Sequence, residues 1–237
     1  MRRIPLVIFD NLLGSDEVGR GCIAGPLVCA SVLLSSRETK KYESWLRGLG
    51  VTDSKKLSRL KIKNIAETIA GKSFFDYTKK AKAVRKKNYY FYKNINPSIS
   101  ISVAVISLDF IGKHNILQSS LHGMKQTGRL ILKEQEHLSS ARVFWAVDGN
   151  KVWRHRDSES MKVTPVIQGD LKVPVIGAAS IIAKNFRDKL MTELSENYQG
   201  YGLDRNFGYP TKLHREGIRK FGICDIHRES FQLLKEL

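Results

Sequence analysis

Short apolar runs along the chain predict β-strands, and longer helical patterns lie between them. The β-branched run at 25–34 predicts one strand, and the continuous run at 142–147 is typical of a strand covered on both faces. Residues 98–105 alternate polar and apolar, as in a half-buried strand, and 162–167 predicts a further short strand. Strands interleaved with helices indicate the α/β class.

Three segments carry the 3.6-residue period of amphipathic helices. Residues 58–71 predict a helix that is capped by a serine and ended by a glycine. Residues 108–128 predict a helix with an imperfect apolar stripe, whereas 177–198 carries a regular one. The segment 168–174, which precedes this last helix, predicts a turn.

The chain shows neither internal repeats nor a linker rich in serine, proline and glycine. After residue 200 it becomes glycine-rich and then basic and helical. We therefore expect one domain over 1–199 and an accessory C-terminal helical region over 200–237.

The net charge of the chain indicates a class of binding partner. The 237 residues contain 40 Lys and Arg against 23 Asp and Glu, so the net charge is +17, which favours a polyanion such as nucleic acid. The alternative is a basic surface that only aids solubility. Three cysteines without CxxC spacing indicate neither a disulfide framework nor a zinc site. The apolar run at 4–9 is too short for a signal peptide and no run reaches membrane length, so we expect a soluble, cytoplasmic monomer.

Acidic residues at predicted strand ends are the first candidates for chemistry. Asp16 and Glu17 precede a tight turn at Gly19 and Gly21, where a ligand can approach the backbone closely. Side chains alternate across a strand, so regular geometry cannot point both carboxylates the same way; only the turn could bring them together. This pattern predicts a metal and phosphate site.

Two further carboxylates have equally plain structural explanations. Asp148 follows the buried run at 142–147, at the end of a strand where open α/β sheets bind ligands, but Asp-Gly is also a common turn. Asp188 shares a helix face with Ser180 and Lys184 and can aim at the strand ends. An i, i+4 pair of Asp188 with Lys184 is the more probable interpretation from the residues alone.

Basic and aromatic residues also allow two interpretations each. Lys55 lies in a loop and can hold a phosphate or be an ordinary exposed charge. The stretch 79–92 runs from basic to aromatic residues and fits either a nucleic-acid grip or, slightly better, a charged surface next to an apolar anchor. Tyr209 is held between Gly208 and Pro210, where it can stack on a sugar or base or fill a core gap.

Taken together, seven segments in order resemble the type 2 ribonuclease H family, ribonuclease HII. They are 14–21 (GSDEVGRG), 53–58 (DSKKLS), 115–118 (NILQ), 147–150 (VDGN), 169–170 (GD), 178–188 (AASIIAKNFRD) and 208–214 (GYPTKLH). The resemblance implies a ribonuclease H-like fold, with a central mixed β-sheet flanked by helices. It also implies that two divalent ions, Mg²⁺ or Mn²⁺, are bound by four acids: Asp16, Glu17, Asp148 and Asp188.

The resemblance further implies a substrate, namely RNA/DNA hybrids and duplex DNA with embedded ribonucleotides. The family cuts on the 5′ side of a ribonucleotide and leaves a 3′-hydroxyl and a 5′-phosphate. The segment matching Gly19-Arg20-Gly21 reads the ribose, and the tyrosine matching Tyr209 stacks on the adjoining deoxyribose. Lys55 and Lys184 complete the expected substrate contacts.

Some features depart from the family or leave the function open. The distance from Asp53 to Asn115 is longer than expected, and Phe207 stands where we expect a basic residue. The segment 230–234 weakly resembles a tail that binds a sliding clamp. The alternatives are a nucleic-acid-binding module without catalysis and another polynucleotide-transfer reaction on the same fold.

Overall fold

A single mixed sheet organises the part of the chain that the computed structural model describes, which is residues 10–35, 39–81, 83–135, 142–156, 158 and 160–235. The apolar run at 4–9 therefore lies outside the described residues. The strands are β1 Asn11–Val18, β2 Leu27–Leu34, β3 Tyr89–Asn96, β4 Ile99–Ile106, β5 Val143–Asp148 and β6 Met161–Val166. Their order is β3-β4-β2-β1-β5-β6; β1–β5 and β5–β6 are parallel, and the other neighbours are antiparallel.

Helices cover both faces of this sheet, as the predicted α/β class requires. They are α1 Thr39–Gly48, α2 Arg59–Ala70, α3 Leu108–Glu134, α4 Gly169–Lys172, α5 Pro174–Ser195, α6 Leu203–Asn206, α7 Lys212–Phe221 and α8 Gln232–Lys235. Two 3₁₀ segments, Ser54–Lys56 and Lys72–Lys80, flank α2. No described helix has the length and apolar character needed to cross a membrane.

The alternation of side chains along β1 divides the core into two halves. Leu12 and Val18 pack on the α5 side, with Ala179 and Ile182, whereas Leu13 packs on the α3 side. β5 shows the same alternation and is buried on both faces, which confirms the prediction for 142–147. Because even and odd positions of β1 face different helices, Asp16 lies on the α5 side and Glu17 on the α3 side.

Parallel pairing of β1 with β5 determines where the acidic residues lie. Ser15 of β1 is paired with Val147 of β5, so Asp16 and Asp148 each follow a paired residue at adjacent strand ends. A loop of eight residues, 19–26, then connects β1 to its antiparallel neighbour β2. The carboxylates and the glycine turn therefore meet at the C-terminal ends of β1 and β5.

Two helices differ from the sequence predictions. α3 extends to Glu134 and is interrupted at Asn115, whose backbone has a φ of 60° and a ψ of 168°. The Asn115 carboxamide oxygen accepts a hydrogen bond from the Gln118 N–H at 3.0 Å, so it caps a second helical half, and this break explains the imperfect stripe. A turn was predicted for 168–174, but the short helix α4 lies there.

The stretch at 79–92 is divided between surface and core. Tyr89 and Phe91 of β3 pack inward, and Phe91 stacks on Tyr77 with 5.0 Å between ring centroids. Lys86 and Lys87 are exposed. The aromatic residues therefore anchor a charged surface.

Candidate active site

Asp16 is the most enclosed carboxylate of the site. It is 5% exposed and accepts hydrogen bonds from the Ser180 hydroxyl of α5 and from the Glu17 N–H, the latter at 2.7 Å. Burial, and then the charges of Glu17 and Asp148, raise the pKa of Asp16 well above its usual value. This site therefore holds more negative charge than its surroundings compensate.

Glu17 reaches the same site from the other face of β1. Its side chain is 8% exposed, forms an ion pair with Arg20 at 3.2 Å and accepts a hydrogen bond from Ser120 of α3. Burial raises the pKa of Glu17, the Arg20 guanidinium opposes that rise, and Asp148 adds to it. Both carboxylates of β1 thus interact with Asp148 although they point to opposite faces.

Asp148 ends β5 and is held in place by the start of α4. The Gly169 N–H donates to its Oδ1 at 2.7 Å, and a Cβ at residue 169 would lie 3.1 Å from the same oxygen. The structure therefore brings Asp16, Glu17 and Asp148 near one another, and their role as metal ligands stays a prediction. The hypothesis of a mere Asp-Gly turn does not account for this arrangement.

Asp170, one residue after Gly169, adds a fourth carboxylate that the sequence analysis did not select. Burial raises the pKa of Asp170, and the charges of Asp148 and Asp53 raise it further, while Lys55 opposes them. The signal was present in the sequence, because Gly169-Asp170 is one of the matching segments. Its side chain was missed because it follows a predicted turn and not a strand.

Asp188 occupies a different place from the one we predicted. Lys184 Nζ lies 2.6 Å from its Oδ1, the i, i+4 pair that the sequence also allowed. Asp188 is eight residues beyond Ser180 on α5, which corresponds to about 12 Å along the helix axis. Because Ser180 is the residue that contacts Asp16, the structure does not bring Asp188 into the carboxylate cluster, and its role as a ligand stays a prediction.

The predicted substrate contacts border the cluster. Gly19 has a φ of 99°, and a Cβ there would lie 2.4 Å from Arg187 Nε, so only glycine fits this turn. Arg20 is half exposed, and Tyr209 is 38% exposed and hydrogen-bonds Cys22, two residues after Arg20. The structure thus places the loop after β1 beside Tyr209.

Both predicted lysines lie near Ser180 of α5, Lys55 next to Ser54, which contacts Ser180, and Lys184 about one turn further along the helix. Lys55 lies in the 3₁₀ turn after Asp53, whose carboxylate caps the Lys55 N–H at 2.8 Å, and Ser54 Oγ lies 3.1 Å from Ser180 Oγ. Lys184 faces the ring of Phe207, with 5.1 Å between Nζ and the ring centroid.

The region around Phe207 carries positive charge although residue 207 itself is not basic. The Arg59 guanidinium lies 4.4 Å from the centroid of the Phe207 ring, and Lys184 also contacts this ring. Two cations thus surround the position where we expected a basic residue.

The chemistry of the cluster suits a hard divalent cation. Carboxylate oxygens are the ligands that Mg²⁺ and Mn²⁺ prefer. The raised pKa values of Asp16 and Glu17 reflect burial first and, to a smaller extent, the negative charge of Asp148, and a bound cation would offset both. Within the described ranges, no group of three or more Asp, Glu, His or Cys side chains is placed so that it could hold a metal ion. Substrate oxygens and water are the usual additional ligands of Mg²⁺.

Comparison with solved structures identifies the class of protein. The chain aligns with a ribonuclease HII of Archaeoglobus fulgidus, solved as a complex with PCNA, at a TM-score of 0.63 and 25% identity over 93% of this chain and 95% of that one. It shares the fold of Bst-RNase HIII in complex with Mn²⁺, at a TM-score of 0.57 and 20% identity over 97% of this chain and 70% of that one. The fold and the carboxylate cluster therefore define a ribonuclease H-like nuclease, as predicted.

Sequence comparison identifies the family within that class. The model of the Ribonuclease HII family matches residues 13–234, and the ribonuclease HII of Pelagibacter ubique is 36% identical over 95% of this chain and 98% of its own length. The chain belongs to the ribonuclease HII family. It is an endoribonuclease of the ribonuclease H type, a hydrolase that acts on RNA/DNA, which excludes the alternative of a non-catalytic binding module.

Proposed function

We propose that this enzyme cuts the phosphodiester bond on the 5′ side of a ribonucleotide, both in RNA/DNA hybrids and in duplex DNA with embedded ribonucleotides. The products are a 3′-hydroxyl and a 5′-phosphate. The observation that carries the proposal is the interaction of Asp148 with both Asp16 and Glu17, beside a glycine turn that can approach a ribose. The enzyme acts as a monomer in the cytoplasm, which sedimentation and cell fractionation can test.

The carboxylates hold the divalent ions in this proposal. Asp16, Glu17 and Asp148 are three of the ligands, and the fourth is Asp170 or Asp188. When bound there, Mg²⁺ or Mn²⁺ would supply Lewis-acid activation of water and stabilisation of the negative charge on the leaving 3′ oxygen. Ser180 and Ser120 orient the carboxylates of Asp16 and Glu17, respectively, by hydrogen bonding.

Recognition of the ribose belongs to the loop after β1. The backbone at Gly19, Arg20 and Gly21 approaches the 2′-hydroxyl, the group that distinguishes RNA from DNA. Tyr209 stacks on the neighbouring deoxyribose, which its partly exposed ring beside Cys22 supports. Lys55 and Lys184 bind phosphates on either side.

Replacement of Asp16 tests the metal site directly. We expect Asp16→Asn to abolish Mg²⁺-dependent cleavage of a duplex with one ribonucleotide, with binding of that duplex largely retained. End-labelled duplexes with one, four or no ribonucleotides provide the measurement. Unchanged cleavage by the variant rejects the proposed metal site, and cleavage of the all-DNA duplex by the native enzyme favours the other polynucleotide-transfer reaction.

A sliding clamp is the proposed protein partner. The relative from Archaeoglobus fulgidus was solved as a complex with PCNA, and the tail at 230–234 is the candidate contact here. Phe231 packs against Arg228, with the guanidinium 5.2 Å from the ring centroid, so binding competes with this contact and we expect it to be weak. Equal binding of a clamp by the native chain and by Leu234→Ala, measured by surface plasmon resonance, argues against this contact.

A further inference from the structure

The C-terminal turn at 224–228 pairs with the second half of the loop after β1. Gly25 N–H donates to the Ile226 carbonyl at 2.8 Å, and Arg228 N–H donates to the Ile23 carbonyl at 2.8 Å. A backbone bridge between Ala24 and His227 lies between these two bonds. A segment more than 200 residues away in the chain thus pairs with the loop that carries Gly19, Arg20 and Gly21.

The side chain of Arg228 reaches further into the same loop. Its guanidinium, 2% exposed, donates to the carbonyls of Gly19 at 2.7 Å, Arg20 at 3.3 Å and Gly25 at 2.8 Å. Burial and the neighbouring Arg187 lower the pKa of Arg228 to about 9. Burial of a cation costs free energy unless hydrogen bonds compensate for the lost hydration. The hydrogen bonds of Arg228 hold both ends of the loop, at Gly19 and at Gly25.

Arg187 holds the other side of this loop. Its guanidinium is fully buried and donates to the carbonyls of Pro26 at 3.0 Å, Ala24 at 3.1 Å and Phe207 at 2.7 Å. Two buried guanidinium groups therefore bind the carbonyls of one short loop. Those carbonyls face the protein interior and cannot rotate without loss of charge-assisted hydrogen bonds.

His227, the neighbour of Arg228, connects the same turn to Tyr209. His227 Nδ1 accepts from the Cys224 N–H at 2.9 Å, and its Nε2 lies 3.2 Å from His214 Nε2. His214 Nδ1 lies 2.9 Å from the Tyr209 carbonyl. A carbonyl only accepts, so the contact with Tyr209 puts the His214 proton on Nδ1 and leaves His214 Nε2 to accept from His227 Nε2. The Cys224 carbonyl also lies 3.2 Å from His227 Nδ1, but it already accepts from the His227 N–H at 2.9 Å, so we assign the shorter contact of Nδ1, with the Cys224 N–H, and place the His227 proton on Nε2.

Both rings are neutral near pH 7, as this assignment requires. Burial, and then the neighbouring His214, lower the pKa of His227 to about 4, and burial lowers the pKa of His214. The hydrogen bonds then run in one direction, from the Cys224 backbone through His227 and His214 to the Tyr209 carbonyl.

We propose that Arg228 and His227 are positioning residues that fix the loop at 19–25 and Tyr209 relative to each other. The inference rests on the proposed function, because that loop and that tyrosine are the two parts that recognise the ribose junction. Neither residue touches the substrate. The C-terminal region therefore contributes to specificity through the geometry of the loop and of Tyr209.

Arg228→Lys tests the arginine, because lysine keeps the charge but its compact ammonium lacks the planar fork that spans the carbonyls of Gly19 and Gly25. We expect faster amide hydrogen exchange confined to residues 19–25 and a fall of about tenfold or more in kcat/KM for a duplex with one ribonucleotide, carried mainly by kcat. Arg219→Lys, at an exposed position on α7, is the matched control and should change neither quantity.

Ring ¹⁵N shifts and substitutions of His214 test the hydrogen bonds that connect His227, His214 and Tyr209. Ring ¹⁵N shifts of the native enzyme at pH 7 should show His214 protonated at Nδ1 and His227 at Nε2, a readout that needs no activity. His214→Asn keeps a donor near the Nδ1 position and should retain more activity on the single-ribonucleotide duplex than His214→Leu.

The outcomes separate this inference from the proposed function. A native enzyme that ignores the 2′-hydroxyl rejects the proposed function, while the exchange and ¹⁵N data still decide the positioning. The opposite histidine tautomers overturn the inference, as does an Arg228→Lys variant with unchanged exchange and kinetics. Exchange that accelerates equally over the whole sheet also overturns it, because that result indicates general destabilisation.

Discussion

At the scale of single residues, the site is a group of carboxylates kept close together at a cost to the fold. Asp16 is buried and lies near two like charges, those of Glu17 and Asp148. Hydrogen bonds from the Ser180 hydroxyl and the Glu17 N–H favour its ionised form. Functional sites commonly accept such a cost, because a ligand later supplies the missing charge. The individual carboxylates therefore differ in what their removal should do.

Asp170 and Asp188 compete for the role of fourth metal ligand. Asp170 interacts with Asp148, whereas Asp188 is neutralised by Lys184. We expect Asp170→Asn to reduce kcat by at least about 10²-fold, the scale of a lost group that stabilises the transition state, and Asp188→Asn to reduce it much less. Single-turnover cleavage at saturating Mn²⁺ measures both. A larger loss in Asp188→Asn assigns the role to Asp188.

Asp16→Asn should stabilise the protein in the absence of divalent ions. The pKa of Asp16 is higher in the folded protein than in the unfolded chain, so the carboxyl loses its proton at a lower pH when the chain is unfolded. The free energy of unfolding therefore falls as the pH rises from about 4 through the pKa of Asp16 in the folded protein. Asparagine keeps an acceptor for the Glu17 N–H but carries no charge. We expect a gain of about 0.5–2 kcal/mol at pH 8 and less at pH 5, measured by denaturation in EDTA.

Metal addition provides the control for that measurement. Mn²⁺ should raise the melting temperature of the native enzyme, because the ion binds only the folded state, and should raise that of Asp16→Asn much less. A native enzyme more stable than the variant at pH 8 in EDTA would mean that the hydrogen bonds to the Asp16 carboxylate outweigh its repulsion.

At the scale of elements, the pairing of β1 with β5 creates the site. The apolar run at 142–147 alone predicts β5 and its buried position. The pattern does not predict how Asp16 and Glu17 cooperate, because alternation places them on opposite faces. The structure shows that Asp148 is close to both since it ends the adjacent parallel strand. Register between distant strands is not encoded in a local pattern.

The helices also show that local patterns predict where a helix begins and ends but not which distant residues it contacts. The cap at Ser58 and the end at Gly71 were read correctly, because capping depends on adjacent residues. Asp188 was expected near Asp16 because family resemblance outweighed the local i, i+4 pair. The distance along α5 shows why that step was insecure: Ser180, and not Asp188, is the residue of α5 that meets β1 at Asp16.

Close contact between β1 and α5 makes Gly14 a sensitive position. A Cβ on Gly14 would lie 2.6 Å from the Val175 carbonyl carbon and 2.7 Å from the Ile176 nitrogen, both backbone atoms. We expect Gly14→Ala to destabilise the fold by about 1–3 kcal/mol, because α5 must move as a unit. Its displacement would also shift Ser180 away from Asp16 and lower kcat.

Gly112→Ala is the matched control for Gly14→Ala. Gly112 lies in α3, and a Cβ there has no heavy atom within 4 Å. Alanine should leave stability unchanged or raise it by about 0.5–1 kcal/mol through reduced chain entropy. Urea denaturation midpoints compare the two variants. Equal stability of Gly14→Ala and the native chain would show that α5 adapts at no cost.

At the scale of the whole molecule, α5 connects the carboxylate cluster to the basic stretch at 79–92. Ser180 contacts Asp16, and nine residues later Lys189 forms an ion pair at 2.8 Å with Asp76, three residues before that stretch. That separation is about 13 Å along the helix, short enough for one duplex to reach both regions.

Salt dependence of binding tests whether this stretch contacts the duplex. Lys79 with Lys80, and Lys86 with Lys87, are exposed pairs, and Lys80 and Lys87 lie over aromatic rings that anchor them. Each phosphate contact contributes about 0.9 to the slope of log K against log salt, so replacing one pair with glutamine should flatten the slope by about 1–2. Fluorescence anisotropy over a salt series measures the slope.

The exposed pair Lys40 and Lys41 in α1 provides a control of equal charge. If the duplex runs along α5 to the basic stretch, glutamines at 40 and 41 leave the slope unchanged although they alter the net charge equally. If all three double variants flatten the slope to the same extent, the effect comes from net charge alone, and the stretch at 79–92 lies away from the duplex. A change confined to one of the two pairs would show which end of the stretch meets the phosphates.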